Sequence, residues 1–151
     1  MARFFEDFVI GQTFQTRSYE MTAERIKAFA AQFDPQPFHL DEEAAKDTLF
    51  KGLAASGWHT AAVTMKLLVE SGLEIAGGTI GGGVGELRWP RPVRPGDVLH
   101  LEAEVIETRR SRTRPELGIV TVRLTMVNQD GQAVQISTPA LMVPTRAPAA
   151  S

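Results

Sequence analysis

A chain of 151 residues with 43% hydrophobic side chains and no cysteine has the size and core material of one domain, and it excludes both a disulfide framework and thiolate metal ligation. A net charge of -2 with 23% charged residues gives no general pull toward nucleic acid or anionic lipid. The opening Met1-Ala2-Arg3-Phe4-Phe5-Glu6-Asp7-Phe8 meets acids before any long apolar run, and Ala54 to Val69, the longest mainly apolar stretch, falls short of the roughly 20 residues of a bilayer span, so neither a signal peptide nor a membrane segment is expected and the cytoplasm is the simplest location.

Phe14 to Tyr19 suits a first strand, and Thr22 suits an N-cap for a helix in which Ala23, Ile26, Phe29, Ala30 and Phe33 recur at helical spacing. That helix should end at the Asp34-Pro35 step. Pro35 and Pro37 fix their own φ and push the residues before them toward extended geometry, so Phe33 to His39 is expected to be a bent loop that turns Asp34 and His39 to one side. Asp41 with Glu42 and Glu43 starts a brief helix running to about Asp47. From Ser56, a capping residue, to Gly72, a terminator, Trp58, Ala61, Ala62, Val63, Met65, Leu67, Leu68 and Val69 are apolar on nearly every face, which predicts a core helix. Gly77 to Gly83 lacks both the Gly-Lys-Ser/Thr ending and the Gly-x-Gly-x-x-Gly spacing of phosphate loops and is expected to be a flexible connection.

Beyond Gly83 the period becomes two. Val84–Trp89, Val98–Thr108, Gly118–Val127 and Ala133–Val143 are predicted strands, joined through Pro95-Gly96-Asp97, the basic turn Arg109 to Pro115 and Asn128-Gln129-Asp130-Gly131 into an antiparallel meander. The fold class is α+β, a curved antiparallel sheet wrapped around a central buried helix, with one domain over residues 1–143 and a loose C-terminal tail over 144–151.

Asp34 and His39 form the leading candidate site. Adding or removing water across an activated double bond needs one group to take a proton and another to give one, and a carboxylate and an imidazole sharing one water supply both. The alternative is that Asp34 ends its helix and His39 bonds loop backbone. The Ser56-Gly57-Trp58-His59 step adds an oxyanion-hole candidate, because N–H groups in a helix's first turn lack intrahelical partners; otherwise Ser56 only caps and Gly57 admits another backbone. Arg109, Arg110, Arg112 and Arg114 could meet phosphates, but a hairpin turn of this kind is usually a solvated edge; Arg88, Arg91 and Arg94 share the ambiguity. His59 and His100 have no acidic partner at ligand spacing, so metal-free chemistry is expected, with His59 bonding near the helix start. Phe29, Phe33, Met65 and Leu68 could line an apolar tunnel, though stripes of this kind are more often plain core.

Asp-x-x-Pro-x-His ahead of a short acidic helix, a small-Gly-bulky step opening an apolar helix, and Arg91-Pro92-Val93-Arg94-Pro95-Gly96-Asp97 leading into a strand together resemble the MaoC-like hydratases, hot-dog-fold proteins akin to (R)-specific enoyl-CoA hydratases. The resemblance covers roughly Phe4 to Val143. It implies a catalytic pair at Asp34 and His39, an oxyanion donor at Gly57, substrate contacts from Ser56, Trp58 and Gln36, an acyl-CoA or acyl-carrier thioester as substrate with no separate cofactor or metal, and a homodimer. Gln36 stands where the family usually has Asn, and Ser56 where it usually has His. Thioester hydrolysis and non-catalytic acyl binding on the same fold are the alternatives; against hydrolysis, Gly57 to Val69 carries no Asp or Glu.

Overall fold

The computed structural model describes residues 1–146. Strand β1 (Thr13–Met21) leads into helix α1 (Ala23–Phe33), where the Thr22 side chain accepts the Arg25 N–H at 3.1 Å. Two single-turn helices follow, α2 (Pro37–Leu40) and α3 (Glu42–Ala45), before the long helix α4 (Gly57–Glu70). His39 therefore sits on a helical turn and not in the expected open loop. Pro37 at the first helical position costs nothing, since its missing N–H is one that a helix start leaves unpaired anyway. Asp41 caps α3 through the Glu43 and Ala44 N–H groups at 2.8 and 3.3 Å, and the helix stops at Ala45, short of the expected Asp47.

Strands β2 (Ile80–Arg88), β3 (Asp97–Arg110), β4 (Leu117–Val127) and β5 (Ala133–Pro144) complete one antiparallel sheet in the order β1-β3-β4-β5-β2. The meander holds for β3, β4 and β5. β2 does not join it beside β3, because β1 already occupies that edge with Met21 opposite Asp97 and Thr13 opposite Glu104; the open edge is that of β5. Ile80 to Gly83, expected as flexible connection, are strand, with a bulge at Gly81/Gly83 that the glycines accommodate.

The period-two reading of β3 is realised, with Leu99, Leu101, Ala103 and Val105 buried while His100 and Glu102 face outward. Against them α4 lays Val63, Leu67 and Leu68. A central helix held against one antiparallel sheet is the hot-dog arrangement. The helix is not buried all round, as its composition suggested: Trp58 is 60% and Met65 45% exposed, and with Val84 of β2 they leave a bare apolar strip. Pro144 ends β5, and Thr145 and Arg146, expected in a loose tail, are held: Thr145 N–H donates to Glu116 O at 2.9 Å, and the Arg146 guanidinium grips both Asp7 oxygens at 2.8 and 2.7 Å. Residues 147–151 of that predicted tail lie outside the described residues. Among the described residues no helix is long and apolar enough to cross a membrane.

Candidate active site

Helix α1 ends where Pro35 forbids its continuation, and Asp34 turns out of it at φ -156° and ψ 67°. Its carboxylate then receives three neighbours. Ser56 Oγ donates to Oδ2 at 2.7 Å, Gln36 Nε2 donates to Oδ1 at 2.5 Å, and His39 Nε2 stands 3.3 Å from Oδ2. Ser56, fully buried, also accepts the Trp58 N–H at 3.2 Å, so one hydroxyl caps α4 and orients the carboxylate.

The His39 ring is 4% exposed, and its Nδ1 lies 2.6 Å from the Ala54 carbonyl. A carbonyl only accepts, so Nδ1 carries a proton, and Nε2, whose lone pair is free whenever the ring is uncharged, faces Asp34. Two acceptors at 3.3 Å do not bond to each other. They suit a donor with two hydrogens, such as water, or a proton that makes the ring cationic. Burial raises the Asp34 pKa, but the bonds from Gln36 and Ser56, and the positive charge His39 carries when protonated, outweigh it and hold the carboxyl below its ordinary value. Asp34 is thus ionised at neutral pH, as a proton acceptor must be.

Gly57 is the first residue of α4, and its N–H has no partner among the described residues. A Cβ there would stand 2.5 Å from the Trp89 indole, which explains the glycine: a side chain packs on its Cα, not another backbone as the sequence suggested. Trp89 follows β2 and is held from behind, its Nε1 donating to Gln135 Oε1 at 2.8 Å while Gln135 Nε2 donates to Thr64 Oγ1 at 2.8 Å. His39, Gly57, Phe50, Ala55, Trp89 and Val93 line a cleft of about 230 Å³.

Cross-ties fix the strip of backbone that carries these groups. Ala54 N–H donates to Phe38 O at 3.0 Å, Ala55 N–H to Val93 O at 2.9 Å, and the Arg94 guanidinium to the carbonyls of Phe50, Gly52 and Leu53, the last two at 3.0 and 3.3 Å. Arg94, ambiguous in the sequence, is therefore a positioning residue. Its signal was present in Arg94-Pro95-Gly96-Asp97, where the nearly buried Asp97 accepts the Arg94 N–H at 2.8 Å and closes the turn that aims the guanidinium inward.

Asp34, Gln36, His39, Ser56 and Gly57 come together as the sequence suggested. Trp58 does not line the cleft; it borders an apolar groove on the far side of Trp89 with Met65 and Val84. Nor do Phe29, Phe33, Met65 and Leu68 form one tunnel, since Leu68 is core, Phe33 is exposed and Met65 lines that groove. His59 bonds at the helix start only through its backbone, whose N–H donates to Ser56 O at 3.0 Å; its buried Nδ1 has no partner among the described residues, the ring stacks on Phe29 at 4.6 Å, and burial, then the Arg25 charge, push its pKa down to about 4. His100 pairs with Glu102 at 3.0 Å on the outer face. The arginine turn is a solvated edge, with Arg109, Arg110 and Arg114 facing Glu107, Glu6 and Glu116 at 3.8, 3.8 and 3.3 Å.

The sequence matches the family model described as MaoC like domain over residues 7–128. It is 39% identical over 127 residues to the uncharacterized protein YdeM of Bacillus subtilis, a match covering 82% of this chain and 86% of that protein. The structure superposes on the MaoC-like dehydratase from Rhodospirillum rubrum with a TM-score of 0.92 and 53% identity, over 97% of this chain and 99% of that one. It also matches the R-hydratase PhaJ1 from Pseudomonas aeruginosa, with a TM-score of 0.76 and 28% identity over 95% of this chain and 86% of that one.

Proposed function

This chain belongs to the MaoC-like domain family, and from that premise we propose that it reversibly adds water across the 2,3 double bond of an enoyl thioester to give the 3-hydroxyacyl thioester, with R stereochemistry. The observation that carries the reading is the ionised Asp34 carboxylate set 3.3 Å from His39 Nε2, in a chain where Gly57, its N–H unpartnered among the described residues, lines one cleft with His39. A water held by Asp34 and His39 loses a proton to this pair as its oxygen bonds to the β carbon. The π electrons move onto the thioester oxygen, which the Gly57 N–H stabilises as an enolate. The enolate collapses as the α carbon takes a proton back from the same pair, so one water is consumed and the thioester stays whole. Coenzyme A or an acyl carrier protein bears the acyl group, and the residues need no further cofactor for these steps.

A homodimer fits the same reading: β2 is exposed along its length, and beside it Val84, Met65 and Trp58 form an apolar strip that a second copy would cover. Thioester hydrolysis has less support, because the only carboxylate of α4, Glu70, lies at its far end in ion pairs with Arg17 and Lys66, each at 2.7 Å.

The test follows the loss of conjugated absorbance from enoyl-CoA thioesters alongside release of free thiol. Hydration without thiol release is expected, and Asp34→Asn and His39→Ala should each lower the rate by about 10³-fold, within the range of general acid–base contributions. Near-native hydration by a folded Asp34→Asn/His39→Ala protein excludes the mechanism, and acyl-CoA binding with no turnover on any enoyl chain points to a binding module. Proline at position 57 is a poor probe of the oxyanion donor, since its Cβ meets Trp89 as well as deleting the N–H.

A further inference from the structure

Two tryptophans stand between two cavities. On one side is the cleft of about 230 Å³ lined by His39 and Gly57, with Trp89 as a wall. On the other is an apolar groove of about 180 Å³ between α4 and β2, with Trp58 as its wall and Ala61, Met65, Val84 and Leu87 along it. The two indoles meet edge to face with ring centroids 5.5 Å apart and planes at 80°. Trp89 is not free to swing aside. Its ring fills the space where a Gly57 Cβ would be, and its Nε1 is anchored to Gln135, itself buried and bonded to Thr64 of α4. Gln135 also borders the groove, so the anchor and the wall belong to one partition.

We infer that the Trp58–Trp89 pair is a chain-length partition, which restricts the cleft to short acyl thioesters by closing it off from the apolar groove. This rests on the thioester reading of the site. The cleft is smaller than the roughly 300–1,000 Å³ common for small-molecule sites, so a short acyl group fills it, while a longer one must enter the space the indoles occupy. Beyond them the lining is apolar and would accept methylene groups if the wall were lowered. Gly57 is bound into the same device: it must lack a side chain for Trp89 to stand where it does.

Wild type, Trp89→Leu and Trp58→Leu are compared on butenoyl-, hexenoyl-, octenoyl- and decenoyl-CoA, and calorimetry measures binding of the corresponding saturated acyl-CoA. Wild type should favour butenoyl, and in either variant the ratio of kcat/KM for octenoyl over butenoyl should rise on the order of tenfold, the scale at which apolar pockets discriminate methylenes, with binding shifting in the same order. Trp58→Leu keeps the test alive if Trp89→Leu does not fold, since Trp58 lies on the surface of the protomer; its oligomeric state is measured alongside, because the proposed second copy covers this strip, and only a variant with the wild-type oligomeric state enters the comparison. Folded variants whose chain-length ratios match wild type in both readouts, or a wild type that takes octenoyl as readily as butenoyl, overturn the partition. Chain-length-dependent binding that relaxes in the variants, with no turnover anywhere, supports the partition and overturns the hydratase reading instead.

Discussion

Two arginine-bearing segments of this molecule look alike in sequence and differ in what they do. The hairpin from Arg109 to Glu116 places its guanidiniums in solvent, where Arg109, Arg110 and Arg114 meet acids at 3.3 to 3.8 Å. The segment from Arg88 to Asp97 turns the guanidinium of Arg94 inward, onto the backbone carbonyls of Phe50, Gly52 and Leu53, which no strand or helix satisfies. The first arrangement gives up little hydration and gains little, as exposed ion pairs do. The second satisfies polar groups near a buried site, where an unpaired carbonyl is costly. Charge density therefore points away from the chemistry here. Burial of paired polar groups points toward it.

The largest effect that would sharpen this contrast is expected at Arg94. Arg94→Met keeps the apolar stem and removes the donors to Phe50, Gly52 and Leu53; a loss of about 2 kcal/mol or more is expected, read as a lowered denaturation midpoint together with reduced hydration as Ala54 and Ser56 shift. A stability equal to wild type would show that the carbonyls are satisfied by water and that the two segments do not differ in kind.

Ser56→Ala comes next, with a cost of about 1 kcal/mol from the lost helix cap and a distinct signature in pH. Removing a donor from the Asp34 carboxylate destabilises its charged form, so its depressed pKa rises toward the ordinary value. The acid limb of the rate profile should then move to higher pH. A limb that stays put would show that Ser56 acts only as a cap. The smallest effect belongs to the hairpin: Arg109→Gln with Arg114→Gln should change stability by less than about 0.5 kcal/mol and leave the hydration rate on enoyl-CoA unaltered. A rise in KM would place the coenzyme's phosphates there and reverse the comparison.

Much of the fold was legible because it follows from near neighbours along the chain. The Thr22 cap, the end of α1 at Asp34-Pro35, the alternation in β3 and the Ser56 start of α4 depend on φ limits, side-chain bonds to adjacent backbone and the period of apolar residues. The same locality brought Asp34, His39, Ser56 and Gly57 forward as a group. What it missed were partners far away in sequence. The glycine run was read as a connection because glycines carry no period, yet Ile80 to Gly83 pair with Ala140 to Met142 of β5, an edge open only because β1 has taken the other. Helix α4 looked wholly buried because composition does not say which face meets a sheet.

By itself the sequence determined the elements, their caps and the residue types able to exchange a proton, since these are set by sterics and bonding within a few residues. Tertiary structure alone decided that Ala54 O fixes the His39 tautomer, that Trp89 rests on Gly57 with Gln135 behind it, and that Arg94 serves carbonyls and not phosphate. Each of these joins residues brought together only by the packing of α4 against the sheet, and no local pattern encodes which distant groups that packing makes adjacent.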